Sequence, residues 1–246
     1  MRKSSENNAK IPEKIYLSNL SVPFDLGGCP LFWLDKSEDS QSFHFLSRMY
    51  SSIANEDFKR RILGAIGFHS SSNIVVPFME KVLKSKVTDR LRGNAAIELG
   101  EHDTESSVKL LLRTAREDSS LYVRKRAVSG LEDLRNPAAA DALIELACNA
   151  RSRDIRRRAI SALGDIASRK AVAALDDMVY SDEDTETQKR AVYAIEDLPN
   201  KEGIPLLIKI AKTHPKLKVR KSAIYCLGDS DDPRALNALI EIIRNK

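Results

Sequence analysis

Residues 123–132 read VRKRAVSGLE, and the chain returns to that wording every 32 residues: LRGNAAIELG at 91–100, IRRRAISALG at 155–164, TQKRAVYAIE at 187–196 and VRKSAIYCLG at 219–228. The alanines of the five segments are Ala95, Ala127, Ala159, Ala191 and Ala223. FKRRILGAIG at 58–67 carries the register upstream, with Ile62 in the alanine place. A weaker echo sits at residues 29–35, where Pro30 takes the alanine place and Leu34 matches Ile66 and Leu99; it reads as a degenerate half-repeat. Self-similarity at a fixed period of this length belongs to arrays of small supersecondary units, each too small to bury its own apolar face.

Working outward from the alanine, apolar residues fall four before it, one after it and four after it, as in Ile155, Ala159, Ile160 and Leu163. That spacing is the stripe of an amphipathic helix. A second stripe follows within each period: Val108, Leu111 and Ala115; Ala140, Leu143 and Ala147; Val172, Leu175 and Val179; Ile204, Leu207 and Ala211; Leu236, Leu239 and Ile243. The segments between the stripes carry Gly, Pro, Asn and Asp, as at Asn136 and Pro137, Pro199 and Asn200, and Asp229 to Pro233. Each repeat is therefore a helix pair. A small residue where two helices cross lets the axes approach, and neighbouring pairs stack to cover one another. The predicted fold is all-α, an α-solenoid of about six helix pairs with an irregular N-terminal cap.

Composition agrees with this reading. Hydrophobic residues make up 42% of the 246 and charged residues 30%, enough apolar material for a packed interior. Gly at 10, Pro at 9 and aromatics at 6% are low for a turn-rich sheet protein. No run of 18 apolar residues occurs, and the start lacks the apolar stretch of a signal peptide, so neither a membrane span nor classical secretion is expected. Cys29, Cys148 and Cys226 are far apart and odd in number, which points to a reduced, cytoplasmic setting with buried thiols.

The repeated segments resemble HEAT repeats of the short, phycobilisome-lyase-like class, whose signature is V-R-x-x-A-x-x-A-L-G; residues 123–131, 155–164 and 219–228 meet it most fully. Tetratricopeptide and ankyrin repeats have nearby periods, but their own motifs are absent. The resemblance covers residues 55–246. It implies a scaffold that binds other proteins, with nucleic-acid binders and lyase subunits as rarer members, and it places the arginine-bearing helix on the concave side. It also implies a ladder in which Arg92, Arg124, Arg156 and Arg220 meet acids such as Asp57, Asp89, Asp154 and Glu186; Lys59 and Gln188 depart from the arginine pattern. Upstream, residues 1–10 are polar and expected to be disordered. Residues 11–54 read as a cap, with an irregular apolar part around Trp33 followed by a helix over 40–54 carrying Phe43, Leu46 and Tyr50.

Charge is patterned more strongly than the net +5 suggests. Of the eighteen places just before the alanine position in six repeats, fourteen are basic and none is acidic, where random placement gives about three basic. The far end of the same helix is acidic, with Glu98, Glu132, Asp133, Asp165, Glu196, Asp197 and Asp229. This polarity opposes the helix dipole, so helix stability does not explain it. On the side expected to be concave stand Arg61, Arg126, Arg158 and Arg190 with Tyr193 and Tyr225, while Lys125, Arg157, Lys189 and Lys221 form a basic ridge. These are the candidate partner-binding residues. The expected partner is a protein with an acidic surface, and a nucleic acid using the same bases is the alternative. A phycobilin-lyase-like subunit, implied by the resemblance alone, is a second alternative.

Catalytic and cofactor signals are missing. His44, His69, His102 and His214 lie apart, and the chain has no HExxH, no His-Glu step, no GxGxxG, no GxxxxGK[ST] and no GxSxG. A non-catalytic role with no cofactor or metal is expected. The last helix carries Leu236, Leu239, Ile240, Ile242 and Ile243 with no polar partner helix after it, so self-association through this end is a further expectation.

Overall fold

The computed structural model describes residues 38–166, 168–182 and 184–244, and within them every regular element is helical. There are thirteen α-helices: α1 (Asp39–Ser52), α2 (Glu56–Gly67), α3 (Ser72–Lys84), α4 (Asp89–Glu98), α5 (Glu105–Glu117), α6 (Leu121–Asp133), α7 (Pro137–Asn149), α8 (Arg153–Ile166), α9 (Arg169–Ser181), α10 (Thr185–Glu196), α11 (Ile204–Thr213), α12 (Leu217–Asp229) and α13 (Pro233–Arg244). Six of them, α2, α4, α6, α8, α10 and α12, contain the signature segments, and each is followed by a partner helix. The fold is an all-α repeat fold. The expectations for residues 1–10, for Cys29 and for the aromatic segment around Trp33 lie outside the described residues.

Helix starts follow local chemistry. Asn55, Thr88, Thr104 and Ser168 accept backbone N–H groups three residues on, at 2.9, 3.4, 3.1 and 3.1 Å. Asn136 accepts from Ala138 N–H at 3.0 Å and is followed by Pro137, whose fixed φ suits a first helical position. These bonds occupy donors that a helix leaves orphaned.

The chain divides into two compact units, Met1–Val75 and Val76–Lys246. In the first, α1 packs on α2. Asp39, at the start of α1, accepts from Ser70 Oγ at 2.6 Å and Ser71 Oγ at 3.2 Å, and the Ser70 bond draws its carboxyl below the usual range. Ser42 Oγ lies 2.6 Å from His69 Nε2. Phe58, Ile62, Leu63 and Ile66 of α2 are buried.

The second unit has two layers. Signature helices α4, α6, α8, α10 and α12 pack one on the next, while α5, α7, α9, α11 and α13 form a looser outer layer. The alanines of the register, Ala95, Ala127, Ala159, Ala191 and Ala223, are all fully buried. Glycines set the approach between signature helices. A Cβ on Gly100 would lie 2.8 Å from the Gly130 carbonyl oxygen, and one on Gly164 would lie 2.5 Å from that of Ala194. One on Gly130 would collide with the Ala96 carbonyl. Backbone meets backbone at these crossings, with Leu99, Leu131 and Leu163 filling the flanks. Such a leucine, buried whole, contributes about 2 kcal/mol of transfer free energy.

Candidate functional site

The basic places before each alanine have three different fates. Two signature arginines, Arg156 and Arg220, bond to the loop before their own helix, Arg92 joins that loop to acids, and Arg124 leaves its Nε buried without a hydrogen-bond partner. Arg156 Nη1 donates to the Ala150 carbonyl at 2.7 Å, and Arg220 Nη1 donates to the His214 carbonyl at 2.7 Å. Arg92 donates to the Val87 carbonyl at 2.9 Å and reaches Asp118 through Nε and Nη2, both at 3.1 Å, and Asp89 at 2.8 Å. Among the described residues Asp89 is the expected ladder acid seen to bond one of these arginines, Arg92. Asp154 instead accepts from Lys125 at 2.9 Å, Glu186 from Lys189 at 3.1 Å, and Asp57 lies 4.0 Å from Arg60. The reason is geometric: orphan carbonyls at the preceding helix end lie nearer the guanidinium than the acids do. Gln188, in the arginine place of α10, is buried.

The second group faces the previous repeat. Arg158 Nη2 donates to Ser129 Oγ at 2.9 Å and to Glu132 Oε2 at 3.0 Å. Arg126 lies in the field of Glu98 and Asp133, whose ionised forms it favours. Their side chains are partly withdrawn from solvent, Glu98 most of all, while Asp133 and Asp197 stay largely exposed. Burial pushes Glu98, Asp133 and Asp197 upward, and it raises Glu132 to about 7, with the adjacent Asp165 adding to the rise and Arg158 opposing it. Glu132 and Asp165 face each other across the α6–α8 junction and line an open groove of about 600 Å3 together with Arg135, Arg169 and Lys170.

The third group has no acid. Among the described residues Arg190, Lys218 and Lys221 enter no ion pair, and Lys218 and Lys221 are exposed. Arg157, also exposed, lies in the field of Asp154. Tyr193 is half-buried, and Tyr225 is 65% exposed. Arg126, Arg158 and Arg190 occupy one register position on the consecutively packed α6, α8 and α10, and Tyr193 and Tyr225 share another on α10 and α12. Arg61 is exposed on α2, in the first unit. The small residues three places after each alanine, Gly130, Ala162, Ala194 and Cys226, are buried between signature helices and do not line the face. Burial, followed by nearby Glu196, raises the Cys226 thiol.

Two sets of interacting residues escaped the sequence reading. The acids facing Arg126 and Arg158 stand 28 and 26 residues earlier, just under one period. A seam of charge pairs also joins successive outer-layer helices: Arg113 to Glu80 at 3.0 Å, Arg116 to Glu145, Lys170 to Asp141 at 2.6 Å, Lys209 to Asp176 at 3.0 Å and Lys212 to Glu241 at 2.7 Å. Opposite charges separated by 29 or 33 residues were the available signal. Among the described residues no group of three His, Cys, Asp or Glu side chains is placed to hold a metal ion, and no helix is long and apolar enough to cross a membrane.

A family model described as HEAT repeats matches residues 108–194 and 178–246. No curated protein matches the chain. Among solved structures, the complex of CpcE and CpcF of phycocyanin lyase from Nostoc sp. PCC7120 aligns over 92% of this chain and 93% of its own, with 19% identity and a TM-score of 0.46. YibA of Escherichia coli aligns over 86% and 82%, with 17% identity and a TM-score of 0.47. Human deoxyhypusine hydroxylase in complex with glycerol aligns over 81% and 77%, with 16% identity and a TM-score of 0.35. With the family model matching more than half of its length, the chain belongs to the HEAT-repeat family.

Proposed function

We propose that this protein is a non-catalytic scaffold whose signature-helix face binds a protein with an acidic surface. One observation carries the reading: basic residues crowd the start of every signature helix against the preference of the helix dipole, and several are left without an internal acid. The closer packing of the signature layer supports reading that face as the inside of a curve within the second unit, where a partner segment would touch several repeats at once. Arginine favours this use because its planar fork binds carboxylates with two parallel bonds.

Selection of peptides from a random display library on the immobilised full chain tests the reading. Winners enriched in Asp and Glu, released by salt, are the expected result. Winners without an acidic bias overturn it, as does a single-stranded oligonucleotide that displaces them at a lower concentration than polyglutamate.

A further inference from the structure

The arginines of the face are not equivalent, because the preceding repeat decides what each one meets. Among the described residues Arg158 is answered by Glu132 and Ser129, whereas Arg126 enters no ion pair, leaves its Nε buried without a hydrogen-bond partner and feels only the field of Glu98 and of Asp133 on its own helix. At the next junction the places corresponding to Glu98 and Glu132 hold Ala162 and Gly164, both buried against α10. Glu186, one turn before Arg190, pairs with Lys189, and among the described residues Arg190 itself enters no ion pair.

The adjoining helix is open too. Lys218, Lys221 and Tyr225 follow one another at helical spacing along α12, and all three are exposed. An exposed tyrosine flanked by free cations is the composition of a binding surface rather than of a solvated helix face.

We infer that the partner's acidic segment docks across α10 and α12, on Arg190, Tyr193, Lys221 and Tyr225, while Arg158 acts as a clamp between repeats and Arg126 lies outside the docking site. This rests on the scaffold reading above. Adjacent packed helices lie about 10 Å apart, a distance an extended chain covers in about three residues. The matching segment thus presents carboxylates about three residues apart, with an apolar or aromatic side chain between them for the tyrosine rings. Charge at the margins restricts its length. Glu186 precedes Arg190 by one turn, Glu196 and Asp197 follow Tyr193, and Asp229 follows Tyr225. A long uniform polyanion such as a nucleic acid runs into these acids, whereas a short acidic peptide ends between them.

The probe is a fluorescein-labelled peptide of glutamates with phenylalanine at every third place, titrated by anisotropy against the full chain. Arg190→Glu combined with Lys221→Glu, and separately Tyr225→Ala, are expected to weaken binding more than about tenfold and about threefold respectively. Arg126→Gln combined with Arg158→Gln is expected to stay within about twofold, and so is the outer-layer control Lys170→Gln. Each variant is first matched to the parent in helical circular dichroism and melting temperature. Loss with the Arg126 and Arg158 pair but not with Arg190 and Lys221 overturns the location and leaves the scaffold reading standing. No binding by the parent chain, or tighter binding of a single-stranded oligonucleotide of equal charge, overturns both.

Discussion

Arg158 and Arg190 hold the same place in consecutive repeats and meet different company. Across the α6–α8 junction Arg158 has Ser129 and Glu132 within hydrogen-bond distance. Across the α8–α10 junction the corresponding places are occupied by Ser161 and Gly164; the serine is kept, the acid is lost, and the backbones close up at Gly164, so Arg190 enters no ion pair there. The same contrast separates Gly164, pressed on Ala194, from Gly228, which faces open space. A repeat position thus has no fixed use. Its role is set by residues about one period away, and those differ between the two regions.

The largest effect expected from this contrast is at the glycines. Gly164→Val forces a side chain into a backbone carbonyl that cannot yield, and a loss of about 2–4 kcal/mol is expected in urea denaturation. Gly228→Ala has only solvent to fill and is expected to stabilise by about 0.5–1 kcal/mol through helix propensity. Equal losses at both would erase the distinction between closed and open regions.

Next comes Arg92, whose side chain is 12% exposed and whose partner Asp118 is 11% exposed. Arg92→Ala strands that carboxylate and the Val87 carbonyl, and about 2–3 kcal/mol should be lost. Arg190→Ala, with nothing to strand, is expected to cost less than about 0.5 kcal/mol in the same assay.

Acid titration sharpens the comparison further. Because Glu132 is raised to about 7 in the folded chain, its favourable contribution is complete below the ordinary carboxylate range and is lost as the pH rises through about 7. Stability should therefore fall by about 1–2 kcal/mol between pH 5 and pH 8 on account of this group, and Glu132→Gln should flatten that slope. Melting curves at the two pH values decide it; an unchanged slope in the variant assigns the effect elsewhere. The smallest change is expected in the outer seam, where Lys170→Ala should cost less than about 1 kcal/mol and less still in high salt.

The architecture was legible because an alanine that must sit at a helix crossing cannot vary freely. Ala95 through Ala223 announce the crossings, and the apolar residues four places away announce the stripes. The face was legible only in outline. Arg126, Arg158 and Arg190 look alike in the sequence, since the acid facing each is set by the rotation between stacked repeats and not by any neighbour along the chain. The carbonyl acceptors of Arg156 and Arg220 were invisible for a plainer reason: every residue has a carbonyl, so an orphaned one leaves no letter to read.

The two layers of the second unit respond differently to the medium. At Gly130 and Gly164 peptide planes touch, and dissolved ions do not weaken such a contact. On the opposite side the seam from Glu80 to Glu241 is electrostatic and partly exposed, so it slackens as the screening length shrinks below about 8 Å. Flexing is then hinged along a spine of small residues, and ionic strength sets how far the outer rim can spread while the spine stays shut.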